Sequence, residues 1–105
     1  MRIHIELSKR AFAFLESLPK SIAFDLFRAI DRISDFPEIG SPMETAFVHF
    51  KGLRQIIYKR NIRVIYEYFP DESLVWVSTI VDCRQLLPDR KDLTRKSAAD
   101  DLSLD

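Results

Sequence analysis

The stretch Lys51 to Tyr68, KGLRQIIYKRNIRVIYEY, holds five basic residues: Lys51, Arg54, Lys59, Arg60 and Arg63. No acid lies between Glu44 upstream and Glu67 downstream, and a further arginine, Arg84, follows later. Guanidinium groups bind phosphates and carboxylates in bidentate fashion. A cluster of them stabilises negative charge that develops in a transition state. It supplies no general base, because arginine does not deprotonate in proteins. The commoner reading of such a run is a solvated sheet face whose Lys and Arg guard against edge pairing. The sharper one is a surface for an anionic or acidic partner, with Tyr58 among the basic residues.

Other chemistries find little support. His4, His49 and Cys83 are scattered and match no metal-ligand spacing. A Cys83 nucleophile needs a neighbouring base; His49 is the candidate, and no spacing requires the two to meet. With only Gly40 and Gly52, there is no glycine-rich phosphate loop. No Gly-x-Ser-x-Gly elbow or paired-histidine helix is present, and no cofactor is indicated.

At 105 residues the chain is sized for one domain with its own core. Sixteen basic residues balance sixteen acidic ones, which argues against a general nucleic-acid coat. A single cysteine makes no internal disulfide, so a reducing cytoplasm is expected. A strand-like alternation follows Met1 directly, so no signal peptide is expected. No apolar run approaches the roughly 18 residues that a membrane span needs.

The elements that must position the basic stretch follow from periodicity. Arg2 to Leu7 alternates, as in a short half-buried strand. Ser8 caps a helix over Lys9 to Leu18, with Ala11, Leu15 and Leu18 as one stripe widened by Phe12 and Phe14. After Pro19, a second helix is expected from about Ser21 to Phe36. Its core stripe is Ala23, Leu26, Phe27, Ile30, Ile33 and Phe36. The short break between them suggests a helical hairpin. Residues 37–45 read as a loop, Ala46 to Phe50 as a short strand, and Gly52 as a bend before Leu53 to Tyr58. Lys59 and Arg60, with or without Asn61, make the turn into Ile62 to Tyr68. Phe69 to Ser73 turns again. Leu74 to Val81, nearly all apolar, belongs at the sheet's centre. The remainder from Lys91 is charged and reads as a frayed helix or disordered tail on a domain of residues 1–90. The class is α+β: an N-terminal strand, a helical hairpin, and a three-strand antiparallel meander completing a small twisted sheet.

A two-residue turn at Lys59 and Arg60 would set Tyr58 opposite Asn61 and Ile56 opposite Arg63. Alternation then places Arg54, Ile56, Tyr58, Arg63, Ile65 and Glu67 on one face. Leu53, Ile57, Ile62, Val64 and Tyr66 take the other, facing the helices.

The element order, with GLRQIIYKRNIRVIYEYFPDESLVWVSTIVDCRQLLP, resembles the RelE/ParE superfamily of toxins from bacterial type II toxin–antitoxin systems. Leu53–Arg54 opening a strand, the strand Ile62 to Glu67, the acidic turn at Asp71–Glu72 and the ending Cys83-Arg84-Gln85 carry the resemblance, which spans roughly Ile3 to Pro88. In the RelE branch it implies ribosome-dependent cleavage of messenger RNA. Arg54, Arg63 and Arg84 would then hold the catalytic positions. Ile56 sits where a lysine is expected, and no His or Tyr follows Trp76. In the ParE branch it implies poisoning of DNA gyrase through protein contacts, and the ending CRQLLP is more like that branch. A third reading is a non-toxic module that keeps antitoxin binding.

All three imply an acidic antitoxin that folds on binding. The expected partner surface is Lys51, Arg54, Tyr58, Lys59, Arg60, Arg63 and Arg84. A homodimer or a toxin–antitoxin heterotetramer fits equally.

Overall fold

A computed structural model describes residues 3–43, 50–85, 87 and 93, together with the backbone of 101–103. The first strand, β1 (His4–Ser8), runs straight into helix α1 (Lys9–Glu16). Ser8 performs the cap: its hydroxyl accepts from the Ala11 amide at 3.1 Å and donates to the Ser78 carbonyl at 2.6 Å. Helix α2 (Lys20–Asp31) begins after Pro19, which has no N–H to leave unpaired. It tightens into a 3₁₀ turn at Arg32–Ser34, so the regular helix ends earlier than its apolar spacing suggests. The core stripe is accordingly narrower: Leu26, Ile30 and Ile33 are buried, while Phe27 and Phe36 are exposed.

A two-residue strand, β2 (Ser41–Pro42), precedes β3 (Leu53–Tyr58), β4 (Ile62–Phe69) and β5 (Leu74–Asp82). With β6 (Asp101–Ser103), the order across the sheet is β2-β3-β4-β5-β1-β6. The β3–β4–β5 meander is antiparallel and β1 lies parallel to β5. Central β5 is buried from Leu74 to Ile80, as its continuous apolar run requires. The α+β class, helical hairpin and three-strand meander therefore match the sequence expectation. The short strand expected at Ala46 to Phe50 falls largely outside the described residues. Most of the tail does too, but 101–103 pair with β1 as a strand, and Leu93 is fully buried.

The sheet is covered on both faces. On one, α1 and α2 bury Ile5, Leu7, Leu15, Leu26 and Ile30 against Val64, Tyr66, Val75, Val77 and Ile80. On the other, Met43, Phe50 and Leu93 pack on Leu53 and Ile65. Between Ile65 and Tyr66 the β4–β5 register shifts, so Ser78 is an extra residue on β5. The Ser78 hydroxyl donates to the Ile65 carbonyl at 3.2 Å. Its own carbonyl takes the Ser8 hydroxyl, so the bulge anchors the cap of α1.

One expectation is overturned. Tyr58 pairs with Ile62, Ile56 with Val64 and Arg54 with Tyr66. Three residues, Lys59 to Asn61, thus form the turn, closed by the Asn61 amide donating to the Tyr58 carbonyl at 3.1 Å. One extra residue flips a strand's faces relative to its partner. Arg54, Ile56 and Tyr58 therefore share the helix side with Ile62, Val64 and Tyr66. Leu53 and Ile57 join Arg63 and Ile65 on the opposite side.

Candidate functional site

Each basic residue picked out in the sequence has its own setting. Lys51 is exposed in the turn before β3, beside Gly52, whose φ of +87° suits glycine. Lys59 and Arg60 form the exposed tip of the β3–β4 hairpin, both with positive φ. The Lys59 ammonium lies 5.5 Å over the Tyr58 ring and 3.9 Å from the Asp25 carboxylate on α2. At an exposed site the ring contact is worth roughly 0.5–1 kcal/mol and the ion pair roughly 0–1 kcal/mol. They draw the tip towards the helix and leave a cleft of about 450 Å³ bordered by Asp25, Arg28, Arg32, Tyr58 and Lys59. The Tyr58 hydroxyl is buried beside it, with no hydrogen-bond partner among the described residues.

Arg54 does not reach this tip. Its Nη1 donates to the carbonyls of Gly40 (2.7 Å) and Glu38 (3.1 Å), and its Nη2 lies 3.4 Å from the Glu38 carboxylate. Beside it, Tyr66 is wholly buried; its hydroxyl accepts from the Gly40 amide at 2.9 Å and donates to the Pro37 carbonyl at 2.8 Å. Burial pushes the Tyr66 phenol above its usual value, offset in part by the Gly40 hydrogen bond. Arg63, on the opposite face, donates from Nη1 to Gln55 Oε1.

Arg84 lies just past β5, exposed, and grips Asp82 through Nε (3.0 Å), Nη2 (2.9 Å) and its backbone amide (2.8 Å). That grip lowers the Asp82 carboxyl to about 2.

The structure thus brings Tyr58, Lys59 and α2 together and separates the arginines: Arg54 and Arg63 lie on opposite sides of the sheet. Cys83 is half-buried, with its amide donating to the Asn61 carbonyl at 2.7 Å; His49 lies outside the described residues. Among the described residues, no group of three or more His, Cys, Asp or Glu is arranged to hold a metal ion, and no helix is long and apolar enough to cross a membrane.

Sequence reasoning missed two features. The Tyr66–Arg54 pair holding the 37–40 backbone carries no local signal, because its partners are 14 to 29 residues apart. The apolar groove of Phe12, Ala23, Phe24 and Phe27 on the outer side of the helical hairpin was hidden by reading Phe12, Ala23 and Phe27 as parts of the core stripes. The offset of Phe24 from the Leu26/Ile30/Ile33 stripe was the signal available.

A family model described as the ParE toxin of the parDE type II toxin–antitoxin system matches residues 5–87. This chain belongs to the ParE toxin family. No curated protein matches it. Among solved structures, this ParE-family chain is similar to the Mycobacterium tuberculosis RelBE2 toxin–antitoxin complex, with a TM-score of 0.65 and 17% identity over 78% of this chain and 99% of the other. It is also similar to a mutant of Escherichia coli RelE in the free state, with a TM-score of 0.64 and 14% identity over 80% of this chain and 86% of that one. The intact E. coli RelBE complex follows at 0.62 and 13%, over 77% and 96%. At these identities the similarity establishes the RelE-like fold. The family match makes the chain a type II toxin of the RelE/ParE superfamily.

Proposed function

We propose that this toxin arrests growth by poisoning DNA gyrase through protein contacts, in the cytoplasm, and is held in check by an acidic antitoxin. The observation that carries the target is the dispersal of the arginines. A phosphodiester-cleaving site needs its charge-stabilising groups around one point and a proton-transfer group within hydrogen-bond reach. Arg54 is spent on backbone carbonyls on the helix side, and Arg63 lies on the other face. No His or Tyr follows Trp76 in the chain. Contacts between folded surfaces place no such demand.

The antitoxin reading is supported by the relatives, two of which are toxin–antitoxin complexes. It is also supported by the exposed charge of Lys51, Lys59, Arg60 and Arg84, which complements an acidic segment. Residues 1–90 are the proposed toxin domain, with Leu93 and residues 101–103 of the tail packed onto it. The decisive assay is supercoiling and DNA cleavage by purified gyrase with the purified chain. Inhibition at micromolar concentration is expected, and its absence would count against the gyrase target.

A ribosome-dependent endoribonuclease is the second reading, favoured by the RelE-like fold and by Arg63 lying away from the helices. Primer extension on translated messages tests it: Arg63→Ala should abolish cleavage, and unchanged cut sites would remove the roles given to these arginines. Ectopic expression without a growth defect, but with antitoxin binding retained, would favour a non-toxic module instead.

A further inference from the structure

The helical hairpin turns one face to the sheet and leaves the other uncovered. Inward, Leu15, Leu26 and Ile30 are part of the core. Outward, Phe12 of α1 and Phe24 and Phe27 of α2 are 37%, 62% and 36% exposed. They border an open groove of about 340 Å³ between the two helices. Neighbouring exposed aromatics of this kind mark a surface that another protein covers.

The charges of the groove and their spacing indicate which protein. Its two charged lining residues are Glu16, at the end of α1, and Lys20, at the start of α2. Neither has an ion-pair partner among the described residues. One charge of each sign offers an acidic antitoxin no net attraction, unlike the Lys59–Arg60 tip. A surface that meets a copy of itself must carry its own complement, and this one does. Phe12 lies four residues before Glu16, and Phe24 four residues after Lys20. On antiparallel helices both rings therefore stand about 6 Å from the level of the two charges. A two-fold axis running along the groove lays α1 of one copy over α2 of the other. It sets Glu16 of each copy against Lys20 of the other copy, and one turn further on it sets Phe12 against Phe24.

The size of the face fixes the strength. Helix α2, with 12 residues, is the longer of the two; at 1.5 Å per residue it is about 18 Å long. Two such hairpin faces bury on the order of 1,000 Å² in total, at the lower end for a specific interface, which suits a reversible dimer rather than an obligate one.

We propose that this groove is a self-association surface, on which two copies of the chain pack hairpin to hairpin as a four-helix bundle with reciprocal Glu16–Lys20 and Phe12–Phe24 pairs. The proposal rests on the helical face alone and is independent of the toxin's target.

Sedimentation velocity of the full chain tests it. The parent should pass from monomer to dimer over micromolar concentrations. Phe24→Ser should weaken the dimer roughly tenfold or more, as loss of a central aromatic contact does, with the melting temperature unchanged because the side chain is exposed. Glu16→Lys and Lys20→Glu should each weaken self-association severalfold, through like charges set face to face. Mixed together, these two single variants should associate with one another more tightly than either does with itself. The double variant Glu16→Lys/Lys20→Glu should recover the parent's dimer. Recovery by mixing is a readout that a role within one chain would not move.

A parent that stays monomeric at about 100 μM, well above a micromolar Kd, would overturn the inference. So would a dimer that Phe24→Ser leaves intact, or single variants that fail to associate when mixed. Binding of the purified cognate antitoxin supplies the remaining check. Loss of antitoxin binding in Phe24→Ser, with the parent monomeric, would give the groove to the antitoxin instead. Antitoxin binding unchanged in Phe24→Ser, with the dimer lost, supports the self-association surface.

Discussion

Ser8 joins three elements through one hydroxyl. It ends β1, caps α1 by accepting from Ala11, and donates to the carbonyl of Ser78 in the β5 bulge. Ser8→Ala removes both bonds and leaves buried backbone groups unpaired. A loss of about 1–2 kcal/mol is expected in chemical denaturation. Half of this was legible in the sequence: a serine before an apolar-periodic run signals a cap. The Ser78 end was not, since 70 residues separate the partners. Gly40 makes a similar case. Gly40→Ala would press a methyl group against the Gln55 carbonyl, which is backbone and cannot swing aside, and against the Tyr66 hydroxyl. A destabilisation of about 1–3 kcal/mol is expected, readable as a lower midpoint in urea. Glycine in a loop announces a turn; the phenol above it cannot be seen from Gly40's neighbours.

At the scale of elements, the β3–β4 hairpin bears the most on function. Its turn forces Lys59 and Arg60 into positive φ, at 49° and 66°, where a side chain costs roughly 1–2 kcal/mol. Arg60→Gly should therefore raise the melting temperature by a few degrees, with the gain trimmed by glycine's larger unfolded-state entropy. Turn residues without glycine conceal this geometry. Alternation alone sorted β4 correctly and inverted β3, because strand periodicity fixes faces only once turn length is known. The end of β5 adds a pH dependence. The folded Asp82 carboxyl sits at about 2 against an ordinary 3.8, owing to hydrogen bonds from Arg84. A depressed carboxylate contributes stability that is fully present above the unfolded value and is lost as pH falls through the folded one. Unfolding followed between pH 5 and 2 should show this loss in the parent, reduced in Asp82→Asn.

For the whole molecule, element order, the helical hairpin and central β5 follow from periodicity and apolar runs. Both faces of the sheet are in use, which a count of apolar residues conceals. A tail poor in large apolar residues reads as dispensable, yet Leu93 is fully buried with Met43, Phe50, Leu53 and Ile65. Truncation before Lys91 uncovers that cluster and frees the β1 edge that β6 pairs with. A loss of roughly 2–4 kcal/mol is expected, within the range for deleting a buried leucine side chain, measured by calorimetry. A truncated chain as stable as the parent would place the tail outside the fold.

The three-residue turn at Lys59–Asn61 acts as a parity element. Shortening it by one residue exchanges the two sides of one strand relative to the other, turning a guanidinium that now clamps Gly40 into one that points at a different partner. Two chains of this fold with the same arginine at the same place in the same strand can thus carry it on opposite surfaces. Loop length, rather than the arginine itself, then decides whether it holds the fold together or meets a ligand.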